Sequence, residues 1–174
     1  MSQSTSGFRH WFLEQLAMYL AYHRNRRNQA THYVGVPLIV FSLMIALTRV
    51  PLFAVGDFTV TAAAIVLIVL GLLYIAAVPL VGVLTVIFYG VVYGVALKTA
   101  GVVPVVAWSV AGSAFVGGWI IQFVGHAFEG RRPAFTANLL QIFMALPFLI
   151  AEMLFAGGLE TGLQRALQER AVKY

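Results

Sequence analysis

Cysteine is absent from the chain, which excludes disulfides, thiolate nucleophiles and cysteine-ligated metals together. Charge is nearly as scarce: 10% of the 174 residues are charged, against 61% hydrophobic, and mean hydropathy is +0.90. A soluble fold of this length would be left with large exposed apolar patches, because small domains keep a high ratio of surface to volume. Lipid removes that difficulty, so a single membrane domain is expected over residues 1–174. Internal repeats and low-complexity linkers are lacking too. The opening MSQSTSGFRHWFLEQL has no apolar stretch and small-residue cleavage site of a signal peptide, so the apolar runs themselves are expected to direct insertion.

The charge that is present is unevenly placed. Net charge is +5, and four of the eleven cations, Arg9, Arg24, Arg26 and Arg27, precede the first long apolar run. Next to that much apolar sequence, anionic lipid headgroups fit the basic cluster better than nucleic acid, and no nucleic-acid partner is expected.

The expected architecture is all-α, a polytopic helical bundle with about four or five transmembrane helices between amphipathic terminal helices. Residues 1–32 give an amphipathic, interfacial helix from about 8 to 22 and then the polar turn HRNRRNQATH. Residues 33–125 give four membrane helices: about 33–55, with Arg49 snorkelling and Pro51 marking a bend or end; 58–78; 80–97; and 102–124. A polar loop follows over 126–138, then a fifth hydrophobic segment over 139–159 carrying Gln141, Pro147 and Glu152, read as spanning with a kink, and a solvated amphipathic tail over 160–174 with Leu163, Ala166 and Leu167 on one side.

Four crossings return the chain to the side on which it began. His23, His32 and His126 then share one membrane face with Arg24, Arg26, Arg27, Arg131 and Arg132, whereas the opposite loops hold only Arg49 and Lys98. The excess of arginine makes that face cytoplasmic, in a bacterial inner membrane or, for a eukaryotic chain, the endoplasmic reticulum.

Neutral imidazole and carboxylate are common ligands of Fe(II), Zn and Mn, so the three histidines with Glu129 form a candidate metal site. Trp119, Gln122, His126 and Glu129 lie three or four apart, on one helical stripe, where Gln122 is placed to orient His126. His23 and His32 are nine apart, about 900° on an unbroken helix and hence on opposite faces, so the helix must break between them. Asn25 and Asn28 suit the break, Asn28 or Thr31 suits a cap for the next helix, and Asn28 precedes His32 by four, close enough to support it.

Several polar residues have plainer readings: His10 as an interfacial residue, the arginine cluster as a topology determinant, and Gly35, Gly117 and Gly118 as close-packing positions. Glu152, an acid inside an apolar run, calls for a partner or cavity, with Arg131, His126 or a metal in view.

The stretches YLAYHRNRRNQATHYVGVPL, WIIQFVGHAFEGRRPA and LPFLIAE resemble the membrane 2-hydroxy fatty acid dioxygenases over most of the chain. In that family a histidine, an asparagine five later and a histidine four beyond precede a Gly and a Pro, which fall here on His23, Asn28, His32, Gly35 and Pro37. A second element falls on Trp119, Gln122, Gly125, His126, Glu129, Pro133 and Ala134. RNRRN departs from the family's turn, which bears on the turn's shape rather than on the ligands. The resemblance implies an Fe(II)-dependent α-oxidation in which O2 and a 2-hydroxy fatty acid give a fatty acid one carbon shorter. It implies His23, His32 and His126 as ligands, with Glu129 as a further candidate, and an arginine such as Arg24, Arg27 or Arg131 clamping the carboxylate. From the residues alone, a zinc hydrolase acting on a lipid and a non-enzymatic lipid-binding or transport protein stay open.

Overall fold

The computed structural model describes the backbone of Ser2–Tyr174 and the side chains from Gly7 onward. Seven helices are joined by one small hairpin: α1 (Ser2–Tyr22), α2 (Arg26–Thr48), β1 (Pro51–Val55), β2 (Phe58–Thr61), α3 (Ala62–Ala77), α4 (Pro79–Ala100), α5 (Pro104–Glu129), α6 (Gln141–Ala156) and α7 (Thr161–Ala171), with a single 3-10 turn at Ala134–Thr136.

Local chemistry sets the boundaries. Proline opens both α4 and α5, where its missing N–H would have had no helical acceptor. Gly130 ends α5 in the left-handed region at φ +70°, and its N–H closes back on the His126 carbonyl at 3.0 Å. The Asn25 side chain caps α2 by accepting from the Arg27 amide at 2.8 Å.

Among the described residues three helices, α2, α4 and α5, are long and apolar enough to cross a membrane, at 23, 22 and 26 residues. Helices α3 and α6 have 16 residues each, about 24 Å at 1.5 Å per residue, short of the ~30 Å hydrocarbon layer. The outward faces suit lipid: Leu72 is 65% exposed and Val105 69%. Helix α2 lies at the centre, packed along α5 and against α4; α3 pairs with α4, and α1 is held between α6 and α7.

The all-α bundle agrees with the sequence reading, while three boundaries and the setting of the tail differ. The first membrane helix starts at Arg26 and ends at Thr48 instead of running over 33–55, with Asn25 rather than Asn28 or Thr31 as its cap. Its polar first turns are helical because Asn25 and, as described below, Glu129 satisfy amides at its start. The next helix is shortened, since residues 58–61 pair with 51–55 across a turn at Gly56 (φ +57°) and Asp57, a Gly-Asp turn flanked by apolar and β-branched residues. The unpaired edges of a two-stranded hairpin place it at or outside the headgroups. Lastly, the tail is docked: Leu163, Leu167 and Ala171 are buried in the contact of α7 with α1.

Candidate metal centre

His23 lies in the three-residue link between α1 and α2, one turn beyond Tyr19. Its Nδ1 is 2.7 Å from the Tyr19 carbonyl oxygen and its ring stacks on the Tyr19 ring, centroids 3.9 Å apart and planes 6° from parallel. His32, on α2, repeats the arrangement, with Nδ1 2.8 Å from the carbonyl oxygen of Asn28. A carbonyl only accepts, so both Nδ1 atoms carry the hydrogen and both Nε2 atoms are left with lone pairs. Those two Nε2 atoms are 3.1 Å apart. Lone pairs so close repel unless a cation or a proton lies between them.

His126, from α5, completes the group. Its ring centroid is 5.0 Å from that of His23 and 5.1 Å from that of His32, and one ligand atom from each of the three lies within 4.8 Å of the others. All three side chains are buried, and Nδ1 of His126 has no hydrogen-bond partner. Burial pushes His23 well below the usual imidazole range, and neighbouring His32 adds to the effect, so His23 is neutral, the form that binds a metal. The set fits a first-row divalent ion. Two nitrogens about 2.1 Å from one ion, at nearly a right angle, are about 3.0 Å apart, close to the His23–His32 separation.

Glu129 holds the link in place. Its Oε1 accepts from the Arg24 backbone amide at 3.0 Å, and its Oε2 accepts from the Asn25 amide at 2.9 Å and from Asn28 Nδ2 at 3.0 Å. The carboxylate also lies where the N-terminal end of α2 favours negative charge. Close approach of α2 and α5 beside the histidines depends on glycine. A Cβ on Gly125 would collide with Thr31 Oγ1 and stand 2.5 Å from Asn28 Oδ1, and one on Gly35 would stand 3.0 Å from the Gly118 carbonyl.

The histidines close one end of a cavity of about 270 Å³. Leu43, Leu47, Val66 and Leu70 line it away from them, whereas Trp119, Gln122 and Gln141 are its polar wall residues outside the histidine group and the two tyrosines, Tyr19 and Tyr89. Such a space takes an apolar chain with a polar head, the head toward the histidines.

Comparison with known proteins adds to this geometry. The family model described as Mpo1-like, 2-hydroxy-palmitic acid dioxygenase Mpo1-like, matches residues 10–157. The chain belongs to the Mpo1-like family. It is 35% identical over 156 residues to the 2-hydroxy-palmitic acid dioxygenase MPO1 of Saccharomyces cerevisiae, covering 88% of this chain and 86% of the yeast protein. No solved structure matches. The matched span contains all three histidines, and membership agrees with the resemblance carried by the sequence motifs.

In this Mpo1-like chain the three histidines come together, while the other expected site residues divide. Asn28 does support His32, through its backbone carbonyl rather than its side chain. Gln122 is buried at the cavity wall, yet its Oε1 is unpartnered and no hydrogen bond joins it to His126. Glu129 is turned to the His23–Asn25 link and lies outside the cavity lining. The arginines expected to clamp a carboxylate have partners elsewhere: Arg24 Nη2 donates to the Ala171 carbonyl at 3.3 Å, Arg131 Nη1 donates to the Ala21 carbonyl at 3.0 Å, and Arg27 stands over the Phe128 ring at 5.6 Å. None of the three lines the cavity, because its walls are apolar and the guanidinium groups find carbonyls and a ring face at the rim. Glu152 is half-buried on α6, also outside the lining.

Sequence reasoning missed two site residues. Tyr19 repeats toward His23 the four-residue offset of Asn28 and His32, a readable signal. Gln141 carried none, for its partner Gln15 is 126 positions away.

Proposed function

We propose that this protein is a membrane dioxygenase that shortens 2-hydroxy fatty acids by one carbon, with an Fe(II) ion held by His23, His32 and His126. The observation that carries the reading is the convergence of three buried imidazoles, two of them with tautomers set by backbone carbonyls, at the end of a largely apolar cavity. The relatives named above are described as acting on 2-hydroxy-palmitic acid.

The overall reaction balances: a 2-hydroxy acid and O2 give the carboxylic acid one carbon shorter, carbon dioxide and water. The bond between C1 and C2 breaks, C2 gains the new carboxyl, and the four electrons released reduce O2. An iron ion held by the three neutral imidazoles of His23, His32 and His126 would supply one-electron chemistry toward O2.

The rest of the work belongs to the chain. Tyr19 and Asn28 hold His23 and His32 in one tautomer through their carbonyls, which aims both Nε2 atoms at one point. Glu129 fixes the link that carries His23. The apolar wall draws in the acyl chain and excludes bulk water from the head end. The face is read as cytoplasmic on its arginine excess, and Arg49, which donates to the Ala100 carbonyl at 2.6 Å, belongs with Lys98 at the other end.

The test uses 2-hydroxypalmitate labelled with carbon-13 at C1. Purified protein loaded with Fe(II) is expected to release labelled carbon dioxide and pentadecanoate, one of each per O2 consumed. Turnover without O2, or equal turnover with Zn, would replace this reading with hydrolytic chemistry.

A further inference from the structure

Gln141 is a buried side chain, 1% exposed, at the start of α6 and on the wall of the histidine-lined cavity. The orientation of its amide follows from a chain of hydrogen bonds anchored on a backbone group. The Leu140 N–H, which only donates, bonds to Asn138 Oδ1 at 3.0 Å. The other atom of the Asn138 amide is therefore its NH2, which donates to Gln15 Oε1 at 2.7 Å. That makes the Gln15 atom an oxygen, so the Gln141 atom 3.0 Å from it is Nε2, donating. Gln141 Oε1 then remains on the other side, an acceptor of fixed position with no partner and no contact with solvent.

Trp119 presents the complementary case on the same wall. Its Nε1–H donates only, is sealed from solvent and has no partner, while its ring is held edge-on to Phe135 with centroids 5.2 Å apart. Buried polar groups are nearly always hydrogen-bonded, so an acceptor and a donor left without partners on two residues that line one cavity point to a ligand that, once the wall side chains shift to admit it, supplies a donor and an acceptor. No arginine lines this cavity to take a carboxylate.

Resting on the function proposed above, we infer that Gln141 recognises the 2-hydroxyl of the substrate and Trp119 its carboxylate, with Gln15 as the positioning residue that fixes the Gln141 amide. At neutral pH the head of a 2-hydroxy acid has one donor, the hydroxyl hydrogen, which matches Gln141 Oε1. The ionised carboxylate only accepts, which matches the indole N–H. An unsubstituted fatty acid satisfies Trp119 and leaves Gln141 open. Gln141 therefore selects for the hydroxyl, and Trp119 does not distinguish the two acids.

Equilibrium binding to the purified, metal-loaded protein in detergent, kept anaerobic, tests this, with 2-hydroxypalmitate and palmitate as probes. Wild type is expected to prefer 2-hydroxypalmitate to palmitate. Gln141→Met should weaken 2-hydroxypalmitate about tenfold, the loss of one buried hydrogen bond, and leave palmitate within about twofold, which also shows that the variant is folded. Trp119→Phe should weaken both acids by a similar factor and leave the preference between them unchanged. Gln15→Met, which keeps Gln141 but frees its amide, should reduce the preference by a smaller factor. An unchanged preference in both Gln141→Met and Gln15→Met overturns the inference and leaves the proposed reaction standing. Failure of wild type to bind either acid overturns both.

Discussion

The carboxylate of Glu129, at the C-terminal end of α5, accepts a hydrogen bond at 2.9 Å from the backbone amide of Asn25, 104 positions earlier. That bond, with those to Arg24 and Asn28, ties the link bearing His23 to the helix bearing His126. Glu129→Ala leaves three donors to find other partners and loosens His23 relative to the other two imidazoles. Metal affinity is expected to fall 10- to 100-fold, the usual effect of removing a group that supports ligands from behind. Thermal stability in detergent should drop by about 2–3 kcal/mol. A metal titration of the variant beside wild type measures the first effect directly.

Gly125→Ala is expected to destabilise the protein by about 2 kcal/mol, because the added Cβ drives Thr31 and Asn28 away from α5 at the level of the histidines. Thr31→Ala in the same chain removes the colliding Oγ1 and should recover part of the loss, an interaction visible in a double-mutant cycle. Gly112→Ala, on the same helix with nothing within 4 Å of its added Cβ, should be neutral or stabilising by about 0.5–1 kcal/mol. Unfolding of the four variants in one detergent provides the comparison.

With the acyl chain in the cavity as proposed, its far end is expected to set chain length. Leu47 is fifteen residues beyond His32 on α2, about 22 Å along the helix, and both line the same cavity. Leu47→Trp is expected to lower turnover of 2-hydroxypalmitate at least tenfold while sparing 2-hydroxy acids several carbons shorter. A chain-length series assayed on the one variant reads this, and a uniform loss across the series would place the acyl chain elsewhere.

Docking of α7 depends on pH through Glu14. Its hydrogen bond from Lys173 holds the carboxyl below its ordinary value, opposed by burial and helped by the Lys173 charge and the Tyr174 hydroxyl, and Arg170 Nε lies 3.3 Å from Oε1. A carboxyl whose pKa is lower folded than unfolded contributes stability above its ordinary value and loses it as pH falls through the folded one. The protection of α7 amides, exchange taken relative to the intrinsic rate at each pH, should therefore fall on acidification from about pH 6 to about pH 3. The Glu14→Gln variant should exchange faster than wild type at neutral pH and show a smaller change across that range.

How far the sequence leads is visible in particular residues. His23, His32 and His126 meet, as their expected placement on one membrane face requires, although the second of the expected membrane helices starts four residues later. Asn28 and His32 are four apart on one helix, so their pairing is local and legible. Glu129 was legible as a neighbour of His126 but not as a partner of Arg24 and Asn25, because helical spacing says nothing about which turn of chain lies opposite. The contacts of the arginines are hidden for a related reason. Their long side chains reach carbonyls and rings at the rim, and sequence gives their side of the membrane without their direction. Gln15 and Gln141 sit on different helices, and only the folded chain sets their amides against each other.

The central claim is that His23, His32 and His126 together hold the iron on which O2 consumption depends. Wild type and the variants His23→Ala, His32→Ala and His126→Ala, each loaded anaerobically with Fe(II) and freed of excess metal, are to be measured for iron per chain and, in the same samples, for O2 uptake on adding 2-hydroxypalmitate. The account predicts about one iron per wild-type chain, uptake that starts with substrate, and loss of both iron and uptake in each variant. Variants that keep wild-type iron and wild-type oxygen uptake would contradict it.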